Sequence, residues 1–433
     1  MKVHIEGYGC SMNRAETEMI KGFFKENNAE FSNEKDADFL VLNTCAVKDR
    51  TESKMLGRIR KLHAISMKNN SKLVVVGCLP KVSPHMISGI SPSIKQFGPN
   101  LKQLSVEAGF EEREFRPGLL QVRDNSLISI IPINLGCVYN CSYCGTKLAR
   151  GNLESYPVDE IAEKVKVSLK TAKEVWLTSQ DTGAYGIDIK TNLARLLETL
   201  LDKNPGNYRV RIGMMTPSHF RRLHKELLGI MKDERVYKFL HLPVQSGSNH
   251  VLRRMKRPYT AADFEFVVAK ARDAFPEITI STDVIVGFPG ETGQDFSDTT
   301  ELLQRTAPDI VNVSRFSARP NTEAAKMPNQ INGSIIKERS RAISRLCRRM
   351  EAKKNEMLLS KELTILVNEP GAKGNYAGRT QNYKTVVIKE NLLGEFAKVR
   401  IIKAYPTYLE GSIVAQVKVT GLLGNNLKTP YTY

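Results

Sequence analysis

Residues 136–144 read Gly-Cys-Val-Tyr-Asn-Cys-Ser-Tyr-Cys, which places Cys137, Cys141 and Cys144 in a CxxxCxxC spacing on one short loop. Three thiolates at this spacing can each bind one iron of a [4Fe–4S] cluster, and the fourth iron then has no protein ligand and stays open to a small molecule. The apolar segment 127–135 before the loop is predicted to be a strand. The stretch therefore predicts an iron–sulfur loop that follows a strand.

Two other uses of cysteine agree less well with the sequence. A structural zinc site normally takes four ligands from two knuckles, and a second CxxC does not occur in the chain. Disulfide frameworks belong to short secreted chains, whereas this chain has seven cysteines among 433 residues and starts without a signal-like segment. We therefore expect a cytoplasmic protein whose thiols bind iron.

The charge balance indicates a polyanionic partner. The chain contains 64 Lys and Arg against 46 Asp and Glu, a formal net charge of +18, and such an excess attracts nucleic acid. An anionic membrane surface is the alternative, but the basic segments lack the apolar face of an interfacial helix. No apolar run approaches the 18 residues of a membrane span. RNA is the predicted partner, and no membrane attachment is expected.

Residues 1–125 alternate between strand and helix patterns, which predicts a Rossmann-like α/β domain with a parallel sheet. The predicted strands are 3–5, 39–42 and 73–76, and a cysteine follows each of them: Cys10, Cys45 and Cys78. Loops beyond the carboxyl ends of parallel strands gather at one edge of the sheet, so the three thiols are predicted to converge on a second metal. The alternative is three buried cysteines without a ligand role.

Residues 126–358 repeat a strand followed by a helix, which predicts a partial (β/α)6 barrel. Its predicted strands are the segment before Cys137 and residues 174–178, 208–213, 237–242, 278–288 and 309–315. Residues 337–354 carry eight basic and two acidic side chains, with Ile343, Leu346 and Met350 on one face of a helical pattern. This predicts a basic connecting helix. Cys347 has no neighbouring thiol there and is predicted to be structural.

Residues 359–433 change to short alternating strands, predicted at 363–367, 383–388, 396–404 and 412–419. This pattern predicts a small OB-like β-barrel. Ten basic and five acidic residues lie between Lys361 and Tyr433, a balance that suits an RNA-holding module. A surface bias without function is the alternative, since OB-like barrels have other roles.

The order of these features resembles that of the radical S-adenosylmethionine (SAM) methylthiotransferases. Residues 141–157, CSYCGTKLARGNLESYP, and 176–186, WLTSQDTGAYG, are similar to the archaeal and eukaryotic threonylcarbamoyladenosine tRNA methylthiotransferases in particular. Bacterial enzymes typically carry Ile-x-Pro after the last cysteine of the loop, where this chain has Gly145, Thr146 and Lys147. Further similar segments are HLPVQSGS at 241–248, DVIVGFPGE at 283–291 and FSARPNT at 316–322, the last with Asn321 where the family often has Gly.

The resemblance implies two [4Fe–4S] clusters, SAM, and a C-terminal barrel of the TRAM type. An unactivated aromatic C–H bond cannot be broken by acid–base residues alone, so a reactive cofactor is needed and no catalytic side chain is predicted. The loop cluster is implied to cleave SAM to a 5′-deoxyadenosyl radical, and the cluster of Cys10, Cys45 and Cys78 to supply sulfur. The implied product is 2-methylthio-N6-threonylcarbamoyladenosine at position 37 in the tRNA anticodon loop, formed with an electron donor.

Two alternatives stay open at this point. One is a methylthiotransferase for isopentenyladenosine tRNA or for an aspartate of a ribosomal protein, because the architecture is shared. The other is a non-catalytic tRNA-binding metalloprotein, against which two open sets of three thiols argue, since structural sites are closed. The sequence pattern does not bear on the oligomeric state.

Polar side chains and glycines after predicted strands are the candidates for contact with SAM. Amide and carboxylate groups suit its ammonium and ribose hydroxyls, and a glycine permits close approach of the backbone to its adenine. Polar barrel loops without a ligand are the alternative. The candidates are Gln180, Asp181, Gln245, Ser246, Asp283 and Gly287.

Two further features near these segments have open roles. Glu291 either contacts the cofactor or caps the next helix. A basic group near the predicted barrel mouth is expected either to bind tRNA phosphates or to form a solvated helix face. Its members are Arg253, Arg254, Lys256 and Arg257.

Overall fold

Three sheet systems follow one another along the chain in the computed structural model, which describes residues 1–45, 49–99 and 101–416. The first is a five-stranded, all-parallel sheet in the order β2-β1-β3-β4-β5. Its strands are β1 (Lys2–Gly7), β2 (Glu30–Phe31), β3 (Phe39–Thr44), β4 (Lys72–Gly77) and β5 (Lys95–Phe97). Its helices are α1 (Ser11–Glu26), α2 (Asp49–Asn69), α3 (Leu79–Val82), α4 (Pro84–Ser88) and α5 (Lys102–Glu107). The predicted Rossmann-like fold is confirmed.

The second system is the open barrel. Its strands and their short companions are β6 (Ile128–Pro132), β7 (Asn134–Leu135), β8 (Glu154–Ser155), β9 (Glu174–Thr178), β10 (Arg209–Ile212), β11 (Phe239–His241), β12 (Thr279–Val286) and β13 (Ile310–Arg315). The helices are α6 (Gly145–Arg150), α7 (Val158–Ser168), α8 (Leu193–Lys203), α9 (Pro217–Ile230), α10 (Asn249–Arg254), α11 (Ala261–Ala274), α12 (Gly293–Thr306), α13 (Glu323–Lys326) and α14 (Gly333–Glu356), with a 3₁₀ turn at Thr182–Ala184.

Six parallel strands form the barrel wall in the order β6-β9-β10-β11-β12-β13. The sheets β10-β9-β6 and β11-β12-β13 are joined by a parallel bridge between Val210 and Val236. Side chains alternate along each strand, so Val175 and Val210 pack in the core beneath the helices while Trp176 and Arg211 face the interior. The predicted partial barrel is confirmed.

The predicted strand 127–135 is interrupted. Strand β6 ends at Pro132, whose nitrogen has no proton for the sheet, and β7 pairs antiparallel with β8 instead of continuing beside β9. The two-residue strand β7 then leads directly into the cysteine loop.

The third system is a closed five-stranded barrel in the order β14-β15-β16-β18-β17. Its strands are β14 (Glu362–Pro370), β15 (Tyr376–Thr380), β16 (Thr385–Ile388), β17 (Phe396–Ala404) and β18 (Leu409–Gln416), with a 3₁₀ turn at Ala372–Gly374. Strand β15 was not predicted, and of the predicted strand 412–419 the last three residues lie outside the described residues.

The connecting helix α14 is longer than predicted at both ends and packs on β13 and β12. Ile343 and Cys347 are buried in the core of the central barrel, whereas Leu346 and Met350 are half-buried. In the described part of the chain, no helix combines the length and apolarity that crossing a bilayer requires.

Candidate functional site

The cysteine loop of residues 137–144 presents three sulfurs that each accept a hydrogen bond. The backbone N–H of Tyr139 lies 3.4 Å from Cys137 Sγ, and that of Lys147 lies 3.3 Å from Cys144 Sγ. Arg257 Nη1 donates to Cys141 Sγ at 3.0 Å. Hydrogen bonds to the ligand sulfurs stabilise thiolates and help to set the potential of an iron–sulfur cluster, so the donor set and its surroundings suit such a cluster.

Burial makes one thiol of each cysteine set a poor acid on its own. Desolvation raises the pKa of Cys137 to about 11 and that of Cys78, in the N-terminal domain, to about 12. A coordinated cation reverses this effect because it deprotonates its thiol ligands outright. Cys137 and Cys78 therefore form thiolates readily only with metal bound.

The other three cysteines converge at the carboxyl edge of the N-terminal sheet, as predicted. Cys45 directly follows β3 and Cys78 directly follows β4, the neighbouring strand. A Cβ placed on Gly9, which precedes Cys10 and has a φ of +127°, would lie 2.7 Å from Cys45 Cβ. The charges of Cys45 and Cys10 also act on the pKa of Cys78. Three loops thus bring the three cysteine side chains together.

Helix α6 connects the two cysteine sets. Cys144 is the residue that caps its N-terminus, because its sulfur accepts a hydrogen bond from the Lys147 N–H, and the helix ends at Arg150. Six residues of helix span about 9 Å. At its end Arg150 donates two hydrogen bonds to Glu16 of α1, and its charge lowers the pKa of Cys78 against the larger effect of burial. The two sets are therefore neighbours on one side of the molecule.

Helix α1 also fastens the N-terminal domain to the mouth of the central barrel. Ser11, which directly follows Cys10, has its Oγ 2.6 Å from Oγ1 of Thr178 at the carboxyl end of β9. Ala15 packs with Ile128 and Ile130 of β6. The set of Cys10, Cys45 and Cys78 consequently faces the same mouth as the loop of residues 137–144.

Gln180 and Asp181 lie at this mouth but differ in their contacts. The side-chain oxygen of Gln180 is buried and receives no hydrogen bond from the described residues, which leaves it available to a ligand. Asp181 is 1% exposed and accepts hydrogen bonds from Thr216 and His219. Burial alone would raise the pKa of Asp181, but these hydrogen bonds outweigh it and lower the pKa.

Asp181 thereby holds His219 against the cysteine loop. His219 Nδ1 lies 3.1 Å from Asp181 Oδ2, and its Nε2 lies 3.0 Å from the Tyr139 hydroxyl. The rings of Tyr139 and His219 stack with centroids 5.0 Å apart. The Asp181 carboxylate accepts these hydrogen bonds within the protein, and its direct contact with SAM stays a prediction.

Gln245, Ser246 and Asp283 occupy three different environments. Gln245 is half-buried, with φ at +68°, and its N–H donates to Asp283 O at 2.8 Å. Ser246 is fully buried and hydrogen-bonds Thr299, so it holds the loop in place. The Asp283 carboxylate lies in the barrel interior, 3.0 Å from His241 Nε2 and 2.9 Å from Asn312 Nδ2.

Gly287 is required by packing. Its φ is +79°, and a Cβ there would lie 2.4 Å from Ile336 Cγ1 on α14. Its N–H donates to Glu291, which also pairs with Arg339 of α14. Glu291 does not cap the next helix, since Thr292 and Asp295 form the capping box of α12. This segment therefore anchors α14.

The basic group 253–257 divides between several contacts. Arg257 donates a hydrogen bond to Cys141 of the cysteine loop. Arg254 donates to Pro289 O, and Lys256 pairs with Glu323. Arg253 lines a surface pocket beside Tyr259. Arg254, Lys256 and Arg257 are thus engaged within the protein, and contact of this group with tRNA phosphates stays a prediction.

Sequence reasoning missed Arg211 and the interior it faces. The guanidinium lies over the rings of Trp176, Phe239 and Tyr383. A signal was present in the sequence: Arg209 and Arg211 alternate with Val210 and Ile212 in a buried strand, which marks a charged inner face.

The chain is similar to known proteins in its separate domains and over nearly its whole length. Models of three families match: the uncharacterized protein family UPF0004 at residues 2–97, the radical SAM superfamily at 131–303 and the TRAM domain at 358–414. Among curated relatives, the probable threonylcarbamoyladenosine tRNA methylthiotransferase of Pyrococcus horikoshii is 40% identical over 96% of this chain and 100% of its own length. The chain belongs to the threonylcarbamoyladenosine tRNA methylthiotransferase family.

Eukaryotic members of this methylthiotransferase family match over most of the chain too. The threonylcarbamoyladenosine tRNA methylthiotransferase of Homo sapiens is 35% identical over 96% of this chain and 75% of its own length. Among solved structures, the radical SAM methyltransferase TsrM from Kitasatospora setae has a TM-score of 0.56 at 11% identity, covering 87% of this chain and 79% of TsrM. That likeness concerns the fold alone.

Within the described residues, neither cysteine set holds its three sulfurs as close together as a single zinc ion requires. Sulfurs bound to one tetrahedral zinc at about 2.3 Å lie only about 3.8 Å apart. Among the residues that the structure describes, three possible metal ligands have atoms within 4.8 Å of one another: His4 and Glu6 of β1, and Glu34, which follows β2. Arg58 already neutralises that group through Glu6 and Glu34.

Proposed function

We propose that the protein is a tRNA methylthiotransferase that converts N6-threonylcarbamoyladenosine at position 37, in the anticodon loop, to its 2-methylthio derivative. The observation that carries the proposal is the junction of the two cysteine sets at one barrel mouth through helix α6. Relatives with this name align over nearly the whole chain. A reaction that needs radical formation and sulfur supply at one carbon requires two such centres side by side.

The six cysteines would bind two iron–sulfur clusters, three cysteines to each cluster. Cys137, Cys141 and Cys144 would hold one [4Fe–4S] cluster, and Cys10, Cys45 and Cys78 the other. When bound, the clusters with SAM supply the radical that removes the adenine hydrogen and the sulfur that replaces it. An electron donor is needed, and the reducing cytoplasm is the compartment in which such thiols persist.

The protein's own side chains position and shield these groups. Arg257 donates to one ligand sulfur and stabilises its negative charge. Asp181 orients His219, which fixes Tyr139 and hence the loop. Gln180, which follows β9, offers a buried side-chain oxygen to the SAM ammonium. The half-buried Gln245 follows β11 and so also lies at the carboxyl ends of the barrel strands.

Three domains serve the reaction in this proposal: residues 1–125 carry the sulfur-supplying cluster, residues 126–358 carry the SAM barrel with its connecting helix, and residues 359–433 form the TRAM-type barrel.

The tRNA-binding charge lies mainly on helix α14. Its exposed cations form no ion pair within the described residues, whereas Lys398 and Arg400 of the C-terminal barrel pair with Glu362. The exposed cations of α14 are Lys337, Arg341, Arg345, Arg348, Arg349 and Lys353.

Deletion of the gene tests the substrate. Mass spectrometry of tRNA nucleosides should then show loss of the methylthio group from threonylcarbamoyladenosine while methylthiolated isopentenyladenosine, where the cell makes it, is unchanged. Loss of the isopentenyl product instead would assign the protein to the other tRNA substrate. Unchanged methylthiolation of both would favour a binding protein without this activity.

A further inference from the structure

A cavity of about 260 Å³ runs from the interior of the central barrel to its contact with the C-terminal barrel. Its walls include Arg211, His241 and Asn312 from the central strands and Tyr383 from the segment before β16. Small-molecule sites typically begin near 300 Å³. The cavity therefore suits a group of about the size of one amino acid.

Arg211 is held in this cavity by aromatic rings. Its Cζ lies 5.2 Å from the ring centroids of Trp176 and Phe239 and 5.3 Å from that of Tyr383. A guanidinium stacked in this way keeps its orientation while its N–H groups stay available as donors. Arg14 of α1 adds a second positive charge, 5.5 Å from the Trp176 ring centroid.

Arg211 also lacks the anionic partner that the other cations of the cavity have. Lys384 pairs with Asp309 at 3.1 Å, and Arg379 lies 3.7 Å from Glu369. Within the described residues no carboxylate pairs with Arg211, and its Nε is buried without a hydrogen-bond partner. A guanidinium without a counter-ion in a partly buried site is costly, so an anionic ligand that reaches its other N–H groups from the cavity would stabilise it.

The cavity lies at the right depth for a substituent of the reacting base. Arg211 is in register with Trp176, two residues before Thr178 on the neighbouring strand, which is about 6.6 Å along the strand. Thr178 contacts Ser11 beside Cys10 at the mouth. A base whose C2 faces the cysteine sets has its N6 on another edge of the ring, so the N6 substituent can extend into the barrel.

We infer that Arg211 binds the carboxylate of the threonylcarbamoyl group and so selects a carboxylate-bearing N6 substituent over an apolar one. The inference rests on the proposed function and names the side chain that gives it its substrate preference. Tyr383 of the C-terminal barrel holds Arg211 in place and thereby makes that barrel part of the substrate site.

Two matched RNAs test this assignment on the full-length protein. Both are anticodon stem-loops with N6-threonylcarbamoyladenosine, one with the free carboxylate and one with the same group as a primary amide. Binding is measured by fluorescence anisotropy of the metal-free protein, and turnover by mass spectrometry after anaerobic cluster reconstitution. We expect the wild type to favour the carboxylate by roughly 10- to 100-fold, the range for a hydrogen bond to a charged group.

Substitutions at two arginines then separate the possibilities. Arg211→Met should bind and convert both RNAs equally, and Arg211→Lys, which keeps the charge, should retain part of the preference. Arg222→Met, at an exposed position on α9, should keep the full preference. If Arg211→Met does not fold, Arg211→Lys and Arg211→Gln are compared instead.

Several results would overturn the inference. Arg211→Met with the wild-type preference for the carboxylate would do so, as would a wild type that converts both RNAs equally well, and in both cases the proposed function would stand. Loss of RNA-independent SAM cleavage with the preference intact would assign Arg211 to SAM. A wild type that converts neither RNA would refute the proposed function as well.

Discussion

Arg150 and Glu16 form a buried ion pair that joins the helix after the cysteine loop to the helix after Cys10. Two hydrogen bonds connect them, and their side chains are 1% and 3% exposed. The pair lies beside Cys78, whose pKa it influences. It is one of the contacts that fix the two cysteine sets relative to each other.

Breaking this pair should destabilise the protein strongly. Arg150→Met leaves the Glu16 carboxylate buried without a partner, which costs about 3–5 kcal/mol. The double variant Arg150→Met/Glu16→Leu should recover part of that loss. Urea unfolding of the metal-free protein measures both. Lys166→Met, which breaks an exposed pair with Glu163, is the control and should change the unfolding free energy by at most about 1 kcal/mol. Equal stability of the Arg150 and Lys166 variants would contradict the account.

The two cysteine sets should lose different functions when mutated. Cys141→Ala should abolish formation of 5′-deoxyadenosine, because one of three ligands of the SAM-binding cluster is gone. Cys45→Ala should keep SAM cleavage and lose methylthiolation. Each variant should bind half of the wild-type iron after reconstitution. Cys347→Ala is the matched control, since this buried thiol lies in the barrel core, and it should keep full iron content. Methylthiolated product from Cys45→Ala would refute the role of the N-terminal set.

Helix α14 should dominate the salt dependence of tRNA binding. Arg341, Arg345 and Arg348 are spaced four and three residues apart and share one helix face. Substituting all three by Gln should lower the slope of log K against log salt by about 2–3, the value for three lost phosphate contacts. The control is Lys166, Lys170 and Lys173 changed to Gln, an equal charge change at exposed positions in the last turn of α7 and in the segment that follows it. An unchanged slope for the α14 variant would place the tRNA elsewhere.

Glu18 should make the protein less stable as the pH rises. Burial, with the charge of Asp124 adding to it, raises the pKa of Glu18 from 4.5 to about 7. Between pH 4.5 and 7 the folded state binds more protons than the unfolded state, so stability falls through this window and stays lower above it. Glu18→Gln should therefore be more stable than the wild type by about 1–3 kcal/mol at pH 8 and indistinguishable at pH 4.5. An identical difference at both pH values would contradict this.

The sequence predicted those features that depend on local pattern. Strand periodicity located the strands that precede Cys45 and Cys78, and parallel topology then required these thiols to meet. Contacts between distant segments had no such signal. Glu16 and Arg150 are separated by 134 residues, and each reads as an ordinary charged residue on a helix. The contact of Asp181 with His219 could not be predicted either, because His219 lies on a helix whose position only the folded barrel defines.

Two further features could not be predicted because they depend on packing between elements: strand β15 and the surroundings of Gly287. Strand β15 contains Gly378, which lowers strand propensity, and exists because β14 and β16 pair with it on either side. The close approach of Ile336 to Gly287 also had no local signal, because Ile336 lies on α14, far along the chain. The contact of Gly287 with SAM stays a prediction.

The most direct test of the proposed reaction is nucleoside mass spectrometry after incubation of the anaerobically reconstituted protein with SAM, a reductant and defined tRNA. With tRNA that carries N6-threonylcarbamoyladenosine, the account predicts the 2-methylthio derivative together with 5′-deoxyadenosine, and with isopentenyladenosine tRNA it predicts no methylthiolated product. Methylthiolation of the isopentenyl substrate alone, or SAM cleavage that never yields product with either tRNA, would contradict it.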